Sequence, residues 1–222
     1  MKNTKYEFVD LGLPSGLQWA AWNVGATKPE ESGLYFAWGE DKGYVVTCGE
    51  LIDASQGAYN AIIKNADGSQ MEKTFASDFS DYEHYDENSG FTKYNSTSVL
   101  TPLANEDDGC YLAEKEMRMP TKEECEELIA NTKSEWTPKY NGSDVNGMTF
   151  TSKTNGNSIF VPAVGGVDSG VLGNFGLSGG FWSSSLSSSS VEEAFFLFFF
   201  SDVLDVDNDY RFVGIPLRAV RP

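Results

Sequence analysis

Asp205, Asp207 and Asp209 alternate along residues 204–210, in the spacing of the first three ligands of a calcium-binding loop. Such a loop needs glycine at its sixth position for a sharp turn and a bidentate glutamate at its twelfth. Tyr210 and Pro216 stand at those places, so the EF-hand pattern fails and only a looser calcium site is left. Other chemistry has few carriers. The three cysteines, Cys48, Cys110 and Cys125, lack metal-like spacing and make no disulfide framework, so they read as reduced thiols. The single histidine, His84, lies in the polar run 81–87 and reads as part of a solvated loop. One histidine removes most zinc sites and most Ser-His-Asp or Cys-His arrangements. These residue types point away from catalysis, and no cofactor is implied.

Binding is the chemistry that remains, and phenylalanine carries it. Eight of the fifteen Phe fall between residues 175 and 212: Phe175, Phe181, Phe195, Phe196, Phe198, Phe199, Phe200 and Phe212. As a strand, 194–200 turns residues 195, 197 and 199 to one side and 196, 198 and 200 to the other. Both faces are apolar. That suits a central strand covered on both sides, or a strand with one core face and one binding face. Each ring buries ~150–250 Å², so three on one face present ~450–750 Å², at or above the largest apolar patch of an ordinary monomer. No basic residue occurs between Lys153 and Arg211, whereas Asp168, Glu192, Glu193, Asp202, Asp205, Asp207 and Asp209 all do. Acids beside a hydrophobic strand act as gatekeepers against aggregation.

These residues need elements to hold them. The chain has 222 residues, enough to bury a sizeable core. Its net charge of −17 works against phosphate backbones and anionic membrane surfaces, so no nucleic-acid partner is expected. No apolar run approaches the roughly 20 residues of a spanning helix, so no direct membrane insertion is expected either. The first eight residues lack a hydrophobic stretch of the signal-peptide kind, which predicts no leader in the chain. Residues 5–22 read as two strand segments around the turn Pro14-Ser15-Gly16, and 33–39 as a short aromatic strand. Residues 41–100 are polar and Gly- and Asp-rich, and read as a surface insertion with a short helix around 55–64. Thr121 followed by Glu124 is a capping box, and Cys125, Leu128 and Ile129 form the apolar stripe of the helix it opens. Asn155-Gly156 between 148–151 and 158–161 predicts a hairpin.

Several segments together resemble one known family. They are Val9-Asp10-Leu11-Gly12-Leu13-Pro14-Ser15-Gly16, Tyr35-Phe36-Ala37-Trp38-Gly39-Glu40, Arg118-Met119-Pro120-Thr121, Phe160-Val161-Pro162-Ala163, Phe181-Trp182-Ser183-Ser184-Ser185, and the ending 211–220. In this order they resemble the major paralogous domain family of gut Bacteroidetes and their phages. Trp22 departs from the cysteine often found there, and the last nine residues are slightly altered. The resemblance implies an α+β, C-type-lectin-like fold related to that of formylglycine-generating enzymes. It implies short strands, few helices and a long insertion at about 41–100, in a single domain spanning 1–222.

Some members of that family are the variable proteins of diversity-generating retroelements. In these, adenine-specific mutagenesis randomises Asn-type codons near the C-terminus, and the fold displays the resulting side chains on a ligand-binding face. The resemblance thus implies a non-enzymatic ligand-binding protein, diversified over about 181–215, for receptor or host-surface recognition. The implied ligand-binding residues are Phe181, Phe196, Phe198, Phe200, Asp202, Leu204, Val206, Asp207, Asp209, Tyr210, Phe212, Val213 and Ile215. Asn208 is likewise reachable from such a codon, whereas Ala194, Phe195, Leu197, Phe199, Arg211 and Gly214 resemble fixed framework. The implied partner is a protein or glycan on a cell surface, the implied location is a cell surface or phage particle, and oligomerisation is left open. The alternative is an undiversified surface adhesion or structural domain, with calcium-free glycan binding still open. A formylglycine-generating activity is not expected, because no cysteine follows Cys125. A calcium-dependent sugar lectin is not expected either, because Glu-Pro-Asn and Gln-Pro-Asp are absent.

Overall fold

The computed structural model describes residues 6–95 and 102–222. The expected leaderless start (1–5) and the last part of the expected insertion (96–100) lie outside the described residues. Strands occupy 39% and helices 9%, so the chain is β-rich with few helices. In chain order the first elements are β1 (Phe8–Asp10), β2 (Gln18–Ala20), β3 (Tyr35–Phe36), β4 (Tyr44–Asp53), β5 (Ala58–Asn65), β6 (Tyr85–Asp86) and β7 (Gly90–Phe91). Helices α1 (Gly109–Ala113) and α2 (Lys122–Asn131) follow, then β8 (Thr132–Thr137), β9 (Gly147–Ser152), β10 (Ser158–Pro162), β11 (Gly166–Asp168) and β12 (Val171–Gly173). The last strands are β13 (Gly179–Leu186), β14 (Glu193–Phe199), β15 (Leu204–Tyr210), β16 (Ile215–Pro216) and β17 (Val220–Arg221).

The described strands form five antiparallel sheets, with orders β1-β2-β17, β10-β9-β8, β11-β12-β5-β4-β3-β16, β13-β14-β15 and β6-β7. The first joins the two ends of the chain. Buried Arg218 reinforces that closure, donating to Asn23 Oδ1, the Ala20 carbonyl and the Phe160 carbonyl at 2.9–3.0 Å.

Local chemistry accounts for several elements. Thr121 Oγ1 accepts from Glu124 N, and the Glu124 carboxylate accepts from Thr121 N at 2.8 Å, so α2 starts on the expected capping box. Cys125 and Leu128 are buried and Ile129 packs beside them. Asn155-Gly156 lies in the β9–β10 connection, with Gly156 at φ +79. The expected helix around 55–64 is instead the strand β5. Its backbone groups pair with β4 on one side and β12 on the other, and the turn before it carries Gly57 at φ +55. The β-branched pair Ile62-Ile63 suits that pleated position. His84 is buried, not solvated: its Nε2 donates to the Gly39 carbonyl at 2.6 Å.

β13 sits between two cores. Trp182 belongs to one, with Trp38, Phe75 and Phe212, while Phe181 belongs to the other, with Trp19, Leu197 and Phe199. Alternate residues of one strand therefore feed opposite cores, as period two requires. α2 covers the second core, and the charge of Lys122 lies 4.5 Å over the Phe195 ring.

Candidate functional site

The register of β14 against β15 decides which side chains share a face. Phe199 lies opposite Leu204, Leu197 opposite Val206, Phe198 opposite Asp205, and Phe196 opposite Asp207. Leu197 and Phe199 are fully buried, and Leu204 and Val206 pack against the same core. The other face carries Phe196 and Phe198 with Asp205, Asp207 and Asp209. Phe196, Phe198 and Phe200 are half-buried, so this face is neither sealed nor fully open. Trp182, Phe196, Phe198 and Phe200 make a ladder with successive ring centroids 5.6, 5.4 and 6.4 Å apart, running from the core to the rim.

Phe196, Phe198 and Phe200 of this ladder form one wall of a groove of about 640 Å³. Asp209 and Tyr210 continue that wall, Asp168, Ser169, Val171 and Asn174 line the groove with them, and Val213 and Ile215 contribute their buried side chains. Gly180, paired with Phe198, is needed where β13 meets β14, since a Cβ there would stand 2.2 Å from the Leu197 carbonyl oxygen.

The segment 165–174 owes its position to β5 and to Gly57, Thr74 and Phe75. β11 and β12 are joined by Ser169 and Gly170, both at positive φ (+48 and +76), as a two-residue hairpin turn of type I′ demands. Ser169 N donates to the Phe75 carbonyl and Gly170 N to the Thr74 carbonyl, at 3.0 and 2.7 Å. β12 pairs with β5, and Phe175 N donates to Gly57 O at 3.0 Å. Contacts from within residues 57–75 thus act as a buttress for the groove.

The acids have two different tasks. Among the described strands β15 pairs with β14 alone and so presents an edge. Val206 N, Asn208 N and Tyr210 N donate to Oδ1 of Asp205, Asp207 and Asp209 at 2.8, 2.9 and 2.8 Å. Each aspartate occupies a backbone donor that another strand would otherwise pair with. Asp209 also lines the groove. Burial pushes its carboxyl above the usual range; the bond from Tyr210 N pulls it partly back, and the charges of Asp168, Glu193 and Asp207 push it further up. The three aspartates are spread along a strand, and among the described residues no group of three or more His, Cys, Asp or Glu is placed to hold a metal.

No known family model, curated protein or solved structure matches the chain.

The structure brings Phe196, Phe198, Phe200, Asp209, Tyr210, Val213 and Ile215 together around the groove. Asp207 is exposed on the same face, and Asp202 is exposed in the turn beyond β14. Four expected positions are corrected. Phe181 is fully buried, 5.8 Å from the Trp19 ring, and has no access to a ligand. Leu204 and Val206 face the core because their parity along β15 puts them beside Phe199 and Leu197. Phe212 is buried between Phe79 and Tyr210, with ring centroids 5.0 and 5.3 Å away, so it supports Tyr210 from beneath. Val213 and Ile215 are 8% and 5% exposed and reach the groove only as lining. Sequence reasoning missed Asp168, Ser169 and Asn174. The Ser-Gly turn between short apolar strands was the available signal for the first two. Their approach to β15 depends on pairing with β5, more than 100 residues earlier.

Proposed function

We propose that this chain is a non-enzymatic ligand-binding protein of C-type-lectin-like fold, whose C-terminal face is diversified for receptor or host-surface recognition. The reading places it among the variable proteins of diversity-generating retroelements, displayed on a cell surface or phage particle. One observation carries it. A strand whose inner side keeps Leu197 and Phe199 fully buried holds a half-buried aromatic pair, Phe196 and Phe198, at the mouth of a groove. Such a division lets the outer residues change without unfolding the inner ones. Aromatic anchors in a concave, partly desolvated setting are also the residues that dominate binding hot spots. No helix of the described residues is long and apolar enough to cross a membrane.

The test is to sequence sister copies of the gene and its surroundings. A neighbouring reverse transcriptase with a template repeat is expected, and differences should concentrate at Phe196, Phe198, Phe200, Asp207, Asp209 and Tyr210. Differences scattered evenly, or as frequent at Leu197 and Trp182 as at Phe198, would sink the reading.

A further inference from the structure

We propose that the groove recognises an arginine side chain presented by a protein partner. The inference rests on the ligand-binding reading and names the chemistry of the ligand.

Charge and shape both argue for it. Asp168 and Asp209 line the groove together with the rings of Phe196, Phe198 and Tyr210. Asp209 is half-buried and Asp168 is exposed at the rim. Of the other enclosed acids, Glu40 meets Lys73 at 2.8 Å, Asp107 meets Lys93 at 2.8 Å and Glu124 meets Arg118 at 2.7 Å, while Asp108 accepts from three backbone N–H groups instead. Among the described residues no salt bridge reaches Asp168 or Asp209. Asp168 accepts from the Ser169 hydroxyl at 2.7 Å, and Asp209 accepts from Tyr210 N at 2.8 Å. These bonds leave a carboxylate oxygen of each acid free for a ligand. The groove lining contains no basic residue, and the chain supplies none between Lys153 and Arg211. Asp205 and Asp207, exposed on the same face of β15, add to the negative field around the groove.

The aromatic wall selects among cations. A guanidinium is planar, weakly hydrated and able to stack on a ring while its edge donates to carboxylates. An ammonium lacks the plane and holds its water more tightly. The protein already solves this problem inside itself. Arg211 lies 5.0, 5.1 and 4.6 Å from the Trp38, Tyr82 and Phe91 rings and donates to oxygen acceptors at its edge. The groove offers an incoming arginine the same combination of rings and oxygens, with carboxylates in place of carbonyls.

The experiment is a selection of random-sequence linear peptides on the full chain, followed by affinity measurements on the winners. Enriched peptides should carry arginine well above its frequency in the input. Replacing that arginine with citrulline, its neutral isostere, should weaken binding about ten-fold or more. The double variant Asp168→Asn with Asp209→Asn keeps both side-chain shapes and should show the same loss, with no further loss for the citrulline peptide. Phe198→Ser should weaken every winner. Winners without arginine bias that still need Phe198 would overturn the arginine inference and leave the ligand-binding reading standing. Winners that bind the Asn variant and Phe198→Ser as well as the original chain, or no winners at all, would overturn both.

Discussion

Removing the head of Arg211 is predicted to destabilise the protein severely, although among the described residues this cation has no carboxylate partner. Arg211 is fully buried directly after β15. Its Nε donates to Tyr82 Oη at 2.9 Å, Nη1 to the Val191 and Tyr94 carbonyls at 3.0 and 3.2 Å, and Nη2 to the Lys93 carbonyl at 3.3 Å. Three aromatic rings surround it, and burial pulls its pKa below the usual arginine value, with the Tyr82 contact opposing that shift. Arg211→Met fills much of the volume but leaves four oxygens without this donor. Each unsatisfied buried polar group costs ~1–3 kcal/mol, while relief from desolvating the guanidinium offsets part of the sum. With four oxygens affected and part of that sum offset, the net loss is about 3–5 kcal/mol. At ~2–4 °C per kcal/mol for a chain of this size, the melting temperature should fall by ~6–20 °C. Arg211→Lys keeps the charge but loses the planar fork, and should fall between the two. Thermal and urea melts of the full chain measure this, and hydrogen exchange should show residues 82–94 opening first. A melting temperature for Arg211→Met equal to or above that of the unaltered chain would refute the reasoning. Desolvation would then outweigh every bond the guanidinium makes.

Three further outcomes follow from the same geometry. Replacing Asp205, Asp207 and Asp209 together with Ala frees three backbone donors on the β15 edge, so light scattering should report larger species than for the unaltered chain; an unchanged size distribution would mean that these acids do not protect the edge. Asp209 has a folded-state pKa above its unfolded value, so its ionised form opposes folding; the penalty is full above the folded pKa and vanishes below the unfolded one. Asp209→Asn should therefore be more stable at neutral pH, with a gain that shrinks as urea melts are repeated at falling pH, and a gain that grows on acidification would contradict this. Burial raises the thiol pKa of Cys110 and Cys125 well above the ordinary value, while Cys48 is half-buried, so alkylation of the folded chain should label Cys48 first and denatured chain should react at all three.

Local chemistry was legible in the sequence wherever the partners are close along the chain. The α2 capping box spans four residues, the Asn155-Gly156 hairpin joins neighbours, and the two faces of 194–200 follow from period two alone. The same period would have separated Leu204 and Val206 from Asp205, Asp207 and Asp209. Reachability from a randomised codon grouped them together, because it takes no account of which face a residue occupies. The β4–β5 ribbon was harder to read. Ala58 and Ala61 resemble helix formers, and what makes 58–65 a strand is pairing with β12. The same long-range pairing hid Asp168, Ser169 and Asn174 from the expected site. His84 looked solvated among acids, yet the Gly39 carbonyl and the Tyr82 and Tyr94 rings enclose it.

The central claim is that the face bearing Phe196 and Phe198 can vary while the opposite face holds the fold. A saturation scan of residues 194–215, with protease resistance of the folded chain as readout, tests it most directly. Substitutions at Phe196, Phe198, Phe200, Asp205, Asp207, Asp209 and Tyr210 should mostly leave the fold resistant. Substitutions at Leu197, Phe199, Arg211 and Phe212 should mostly destroy it, as expected for loss of fully buried side chains at ~2–5 kcal/mol each. Intolerance at Phe196 and Phe198 equal to that at Leu197 would make the Phe face ordinary core and contradict the account.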